Sequence, residues 1–295
     1  MTPDLIVRDK HGKEWPVKLW CLPTHYSSPI QDPSLLEEPS ERARIWPADP
    51  HPMPGIDWRE DAQVELCSEV FASQQPMEFP TGAPAGGPEY TRRSPRYPAV
   101  DAWVLQAFLR HLRPARVVEV GAGYSSLVTA RVNREYLDDE VRFTAIDPYP
   151  LEFLEAGVPG LTELRKERVQ DTPLEVFEQL DEHDVLFVDT SHTVKTGGDV
   201  PWIFNQILPR LRPGVVVHLH DIFLPWDYPE DWVFQGKGWN EQYLAQSFLT
   251  WSSAFEVLFG TYWMIRRHWD VLLHAFPQMV PDDQRDSSAL WIRRV

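Results

Sequence analysis

"VVEVGAGYSS", residues 117–126, runs a short apolar strand into a glycine-rich turn and then into a helix. Val117, Val118 and Val120 suit a buried strand, interrupted by one acid, Glu119. Gly121 and Gly123 let the backbone approach a ligand closely, and the helix that follows aims its first N–H groups back at the turn. A dinucleotide fingerprint wants a third glycine, and this chain has Ser126 there. That fingerprint also gives no purpose to an acid buried two residues before the first glycine. The stretch therefore predicts a strand, turn and helix with a ligand at the turn.

Working outward, the chain from residue 98 alternates helix-like and strand-like segments at the spacing of βαβ units. PAVDAWVLQAFLRHL (98–112) reads as a helix, RVVEV (116–120) as a strand and SSLVTARVNREYL (125–137) as a helix. VRFTAI (141–146) is a strand ending at Asp147, DTPLEVFEQL (171–180) a helix and DVLFVD (184–189) a strand. GGDVPWIFNQILPRL (197–211) supplies a helix and GVVVHLHD (214–221) a continuous apolar strand, as expected where both faces of a sheet are covered. FEVLFG (255–260) and SALWIRR (288–294) are the last two strands, with YWMIRRHWDVLLHAF (262–276) helical between them.

The first third differs. Sixteen of the 28 prolines precede residue 99, which breaks this part into short pieces and sets a boundary near Tyr97. DLIVRD and WPVKLWCL suggest a hairpin around KHGK, with Pro16 confining its strand to an edge. DWREDAQVELCSEVF (57–71) suits an amphipathic helix capped by Asp57, and residues 80–98 read as an irregular connector. The expected organisation is an N-terminal proline-rich accessory or lid segment, 1–97, and an α/β domain, 98–295.

Composition narrows the classes. With 44 acidic and 28 basic side chains the net charge is −16, which disfavours nucleic acid and acidic lipid surfaces. No stretch has the length of a signal peptide's apolar core or a membrane span, and Cys21 and Cys67 lack metal-ligand spacing. These features predict a cytoplasmic protein with free thiols, no membrane or nucleic-acid partner, and leave a homo-oligomer open.

The acid followed by glycine-x-glycine, Glu119-Val120-Gly121-Ala122-Gly123, resembles the first motif of the class I S-adenosylmethionine-dependent methyltransferases, over roughly residues 98–295. The resemblance implies a doubly wound, Rossmann-like, seven-stranded sheet. It also implies a donor site in which the glycine turn, with Ser125 in the first helical turn, holds the methionine moiety. Asp147 would bond the ribose hydroxyls, and Gln170 and Asp171 would lie near the adenine.

Two further strand ends carry acids and histidines: Asp189 with His192, and His220 with Asp221. In open α/β sheets ligands sit outside the carboxyl ends of strands. His218 and His220 point to the same side of their strand, but His218 lies deeper in the apolar run and reads as a core residue. The set is similar to that of metal-dependent O-methyltransferases of the catechol and macrolide-sugar types. That likeness implies Asp189, His220 and Asp221 as ligands of a divalent metal (iron, manganese or magnesium) and His192, beside Asp189, as the catalytic base. A histidine in place of an oxygen ligand shifts the preference away from magnesium, and a metal-free site, with these groups hydrogen-bonded to donor and substrate, stays open beside it.

The reading is thus methyl transfer from S-adenosylmethionine to a hydroxyl of a small-molecule acceptor. Its rivals are a lyase, cyclisation or iron-assisted oxidative reaction on the same fold, and a nicotinamide-dependent oxidoreductase, which Ser126 and Glu119 oppose. The segment 224–249, with Trp226, Trp232 and Trp239, suggests an aromatic lid over the acceptor. Arg92, Arg93 and Arg96 read as solvated charge or an anionic anchor.

Overall fold

A computed structural model describes residues 4–8, 12–18, 20–82, 88–284 and 287–295. Parts of the expected hairpin turn (9–11) and of the connector (83–87) lie outside the described residues. The chain forms two compact units, residues 1–51 with 226–238, and residues 52–225 with 239–295.

The smaller unit holds the hairpin, in which β1 (Asp4–Arg8) and β2 (Glu14–Lys18) pair antiparallel. Pro16 stands opposite Ile6. In a two-stranded ribbon each strand is an edge, so the missing proline N–H faces no third strand. A helix over Pro39–Ile45 packs beside the 226–238 segment: Arg42 pairs with Glu230 and lies over the Phe234 ring, and the indole N–H of Trp46 donates to the Tyr228 carbonyl at 2.8 Å.

In the larger unit seven strands make one sheet: β3 (Arg116–Val120), β4 (Arg142–Ile146), β5 (Glu163–Arg165), β6 (Val185–Val188), β7 (Val216–His220), β8 (Phe255–Gly260) and β9 (Ala289–Arg294). Their spatial order is β5-β4-β3-β6-β7-β9-β8. The first five are mutually parallel, and β9 runs antiparallel to both β7 and β8. From β3 the chain winds outward through β4 to β5 and then returns to add β6 on the other side. The order therefore reverses between β3 and β6, and the crevice at their carboxyl ends is where such sheets bind ligands.

The helix over Ala99–Leu112 is mostly apolar, and residues 99–109 are all buried, Asp101 and Gln106 among them. A helix of that kind needs cover all round. One face meets the sheet, where Phe108 stacks on Trp291 at 4.0 Å. Another is sealed by residues 60–79: Phe71 contacts Phe108 at 5.1 Å, Phe79 contacts Trp103 at 5.6 Å, and the Trp103 indole donates to the Met77 carbonyl at 3.0 Å. Packing thus does not divide the chain at residue 97, because 52–97 completes the same core as the sheet.

Elsewhere elements differ in extent from the sequence reading. The helix expected over 57–71 begins at Glu60 and widens into π-type turns from Leu66. Asp57 accepts the Arg59 N–H at 3.1 Å in the preceding turn rather than capping the helix. Only Glu175–Glu178 of the 171–180 segment is helical, and 199–210 passes from α to π to 3-10 turns as Pro209 withholds a donor. The edge strand β5 has three residues, too few to show alternation in sequence.

Candidate active site

The turn after β3 is shaped by its neighbours. Gly121 adopts φ 87° and donates its N–H to the Ile146 carbonyl at 2.9 Å, while the Asp189 N–H donates to the Val120 carbonyl at 2.9 Å. A Cβ at Gly121 would lie 1.6 Å from the Asp189 carbonyl oxygen, so only glycine lets the ends of β3 and β6 come together. At Gly123 an added Cβ meets nothing within 4 Å, so this second glycine borders open space.

Three side chains gather at the turn. Glu119 is fully buried; Ser125 donates its hydroxyl to Oε1, and Oε2 has no hydrogen-bond partner. Burial pushes the Glu119 carboxyl up to about 8, although the Ser125 and Ser126 hydroxyls pull it down. Asp147, just past β4, accepts the Ala122 N–H at 3.1 Å and the Tyr149 N–H at 2.6 Å, and burial raises its carboxyl above the usual range. Each of its oxygens keeps a second lone pair. Gln170 and Asp171 are engaged otherwise, Gln170 with the Gly197 carbonyl at 3.0 Å and exposed Asp171 in a bidentate pair with Arg168 at 2.7 and 2.9 Å.

The strand ends of β6 and β7 bring Asp189, His192, His220 and Asp221 together. His192 Nε2 lies 3.1 Å from Asp189 Oδ1 and 3.4 Å from Asp221 Oδ2. His220 Nδ1 lies 3.6 Å from Asp189 and 3.5 Å from Asp221. His192 and Asp221 hold φ of 54° and 55°, a left-handed conformation uncommon outside glycine that His and Asp adopt more readily than most residues. Tightly turned backbone of this kind clusters at functional sites.

Residues not anticipated from sequence complete the surroundings, together with Trp239 of the expected lid. Glu241, buried at the start of the Glu241–Leu249 helix, holds His192 Nδ1 at 2.9 Å. The N–H groups of Asn240 and Glu241 donate to the His192 carbonyl at 3.0 and 3.2 Å, Asn240 Oδ1 accepts the Val194 N–H, and Trp239 lies 4.4 Å from the imidazole. Gln242 Oε1 accepts the Phe223 N–H at 3.1 Å, so residues 239–242 clasp the loops after both β6 and β7. Asp101, buried in the first turn of the 99–112 helix, stands 3.6 Å from His220 Nε2. A single acid in an apolar helix was the one signal for Asp101, and Glu241 sits among solvent-like charges that conceal it.

Electrostatics follow from this crowding. Burial alone would lower the His192 pKa, yet hydrogen bonds to Asp189 and Glu241 and the charges of Asp189 and Asp221 bring it up to about 10. His220 is likewise held well above the ordinary histidine value against burial by Asp221, Asp189 and Asp101. Asp189, half-buried at the strand end, lies well below the usual carboxylate range, because the two rings outweigh its loss of solvent. His218 is a core residue: it stacks on Phe187 at 4.0 Å, and burial keeps it neutral. Arg92 pairs with Asp283 and covers Trp103, so its charge is structural. Of the expected lid, Trp226 and Trp232 belong to the smaller unit and Trp239 to the larger.

Residues 118–222, from within β3 to just past β7, match the family model described as "Methyltransferase domain". A protein of Archaeoglobus fulgidus, itself uncharacterized, is 30% identical over 186 residues, covering 59% of this chain and 81% of that one. Residues 118–222 thus form a methyltransferase domain. The enzyme's sheet order, with β9 inserted antiparallel beside β7, is the Rossmann-like arrangement expected of this family. Among solved structures, an O-methyltransferase of Bacillus cereus in complex with SAH is 15% identical with a TM-score of 0.42, covering 80% of this chain and 91% of that chain. Among the described residues, no helix of this methyltransferase is long and apolar enough to cross a membrane.

Proposed function

We propose that this methyltransferase moves the donor methyl to a hydroxyl of a small-molecule acceptor, with His192 as base and Asp189, His220 and Asp221 as ligands of a divalent cation. The observation that carries this reading is the convergence of those four side chains at the strand ends that also form the Gly121 turn. In the donor half, the partnerless Glu119 Oε2 suits the donor's ammonium, and the Asp147 oxygens suit a vicinal diol. The open space at Gly123 leaves room for the methionine chain against the turn, beside Ser125. Gln170 and Asp171 remain the proposed edge of the adenine site.

The residues present fit a cation. One ligand atom each from Asp189, His220 and Asp221 falls within 4.8 Å of the others, and neither nitrogen of buried His220 has a hydrogen-bond partner. An imidazole with two carboxylates suits manganese, iron or zinc better than magnesium. When bound, such an ion supplies positive charge that acidifies and orients an acceptor hydroxyl.

His192 handles the proton. Glu241 fixes Nδ1, so Nε2 is the atom directed at Asp189 and Asp221, where an acceptor would lie. While both carboxylates face it, the ring keeps its own proton; it becomes a base when they turn their charge to an occupant. The acceptor oxygen then bonds the methyl carbon as the carbon–sulfur bond breaks, the electron pair stays on sulfur, and the hydroxyl proton passes to Nε2.

Incubation of the enzyme with S-adenosylmethionine and panels of alcohols and amines, with S-adenosylhomocysteine read by mass spectrometry, tests the reading. Alcohol-dependent product should appear, and His192→Ala should lower the rate by roughly 10²–10⁴-fold with donor-product affinity retained. Wild-type turnover by His192→Ala, or product with amines alone, overturns it.

A further inference from the structure

His220 is the least satisfied polar group in the site. It is 3% exposed, and neither ring nitrogen finds a hydrogen bond, although carboxylates stand on both sides: Asp189 and Asp221 at 3.6 and 3.5 Å from Nδ1, and Asp101 at 3.6 Å from Nε2. A buried imidazole without a hydrogen bond is costly. An occupant between Nδ1 and the two strand-end carboxylates would use the Nδ1 lone pair, leaving the ring proton on Nε2, from which Asp101 is placed to accept a hydrogen bond.

Asp101 is itself firmly placed. Its Oδ2 accepts the Ser288 N–H at 2.9 Å, and its Oδ1 is buried without a hydrogen-bond partner. The Ser288 hydroxyl donates to Asp221 Oδ1 at 3.3 Å, so one residue ahead of β9 ties Asp101 to a strand-end carboxylate. Tyr97 lies against the His220 ring at 5.1 Å and donates its hydroxyl to the Asp101 carbonyl at 3.3 Å, limiting how the ring can turn.

We infer that Asp101 is a positioning residue for a transition-metal site: its carboxylate accepts a hydrogen bond from the Nε2–H of His220 and thereby presents the Nδ1 lone pair to a divalent cation shared with Asp189 and Asp221. The inference rests on the metal reading above and extends it from three ligands to the carboxylate–histidine–metal relay that orients metal-binding imidazoles. Asp101 comes from a helix outside the 118–222 family match, so the relay depends on a part of the chain that the strand-end residues do not include.

Titration of chelator-treated protein with Mn(II) and Co(II) tests this, with Asp189→Asn, Asp101→Asn and Ser288→Ala beside the wild type. One equivalent should bind to wild type, Asp189→Asn should abolish binding, and Asp101→Asn should weaken it by about 10–100-fold. Affinity for S-adenosylhomocysteine and the unfolding midpoint of the metal-free variants show whether the fold has survived. If Asp101→Asn fails to fold, nitrogen NMR of wild-type protein loaded with Zn(II) decides, the expected state of His220 being Nδ1 metal-bound and Nε2 protonated. No binding by wild type defeats the metal reading and this inference with it. Binding that Asp189→Asn removes but Asp101→Asn leaves unchanged, or zinc found on Nε2, overturns the role of Asp101 and leaves the metal reading standing.

Discussion

Glu119, proposed to face the donor's ammonium, is one buried acid through which pH would act on both stability and donor binding. Its carboxyl is fully buried and raised to about 8, so the folded ligand-free enzyme holds a proton that the unfolded chain, with this carboxyl at its ordinary 4.5, releases. For an acid raised on folding, the stabilisation is complete below the unfolded value and is lost as pH rises through the folded one. Stability should therefore fall by up to about 1.4 kcal/mol per pH unit between those two values. Denaturant melts of wild type and Glu119→Gln from pH 5 to 9 check this, the variant being expected to show a flatter profile. With the donor's ammonium beside it, Glu119 would ionise, so S-adenosylhomocysteine binding at pH 7 should release a proton. Calorimetry in buffers of different ionisation enthalpy would show proton release in wild type and its loss in Glu119→Gln; a pH-independent stability difference would remove the titration from Glu119.

At the scale of elements, the glycine turn separates two functions that the motif merges. Gly121 is required for assembly, since any side chain there runs into the Asp189 backbone, whereas Gly123 faces open space. Gly121→Ala should destabilise the protein by several kcal/mol or prevent folding, because the clash is with main chain and the φ of 87° adds strain. Gly123→Ala should fold with a nearly unchanged melting midpoint and bind S-adenosylhomocysteine at least ~10-fold more weakly. Equal loss of stability in both variants would contradict this division. The 239–242 clasp makes a related point: two loops that end separate strands are tied by one short segment, so the geometry of His192 is set outside its own strand.

For the whole molecule, the question is where the chain can be cut. Residues 52–97 close the core around the 99–112 helix through Phe71, Met77, Phe79, Tyr90 and Tyr97, all buried, whereas residues 1–51 belong to the unit that includes 226–238. Removal of residues 1–51 should leave a cooperative thermal transition and S-adenosylhomocysteine affinity within about threefold, with 226–238 more sensitive to protease for want of Trp46 and Arg42. Removal of residues 1–80 should yield insoluble or molten protein, since it strips Phe71 and Phe79 from the core at a cost of roughly 3–5 kcal/mol each. Circular dichroism melts and limited proteolysis of the two truncations provide the check, and a stable, cooperative protein lacking 1–80 would show that this packing is dispensable.

What the sequence determined by itself was local or periodic. The strands at 116–120, 142–146, 185–188 and 216–220 announce themselves as apolar runs of the right length, and Gly121 and the strand-end acids stand at fixed offsets from them. A motif of this kind is legible because a turn and its ligand contacts involve consecutive residues. The tertiary structure alone decided which distant side chains complete the site. Asp101 lies 119 residues before His220, and Glu241 lies 49 residues after His192. Neither separation carries a periodicity, because the contacts arise from how a buried helix and a loop clasp dock against the sheet edge. The same holds for residues 52–97: proline content marks them as irregular, but only packing shows them as part of the core, since cover for a helix buried all round can come from any segment with enough aromatic surface.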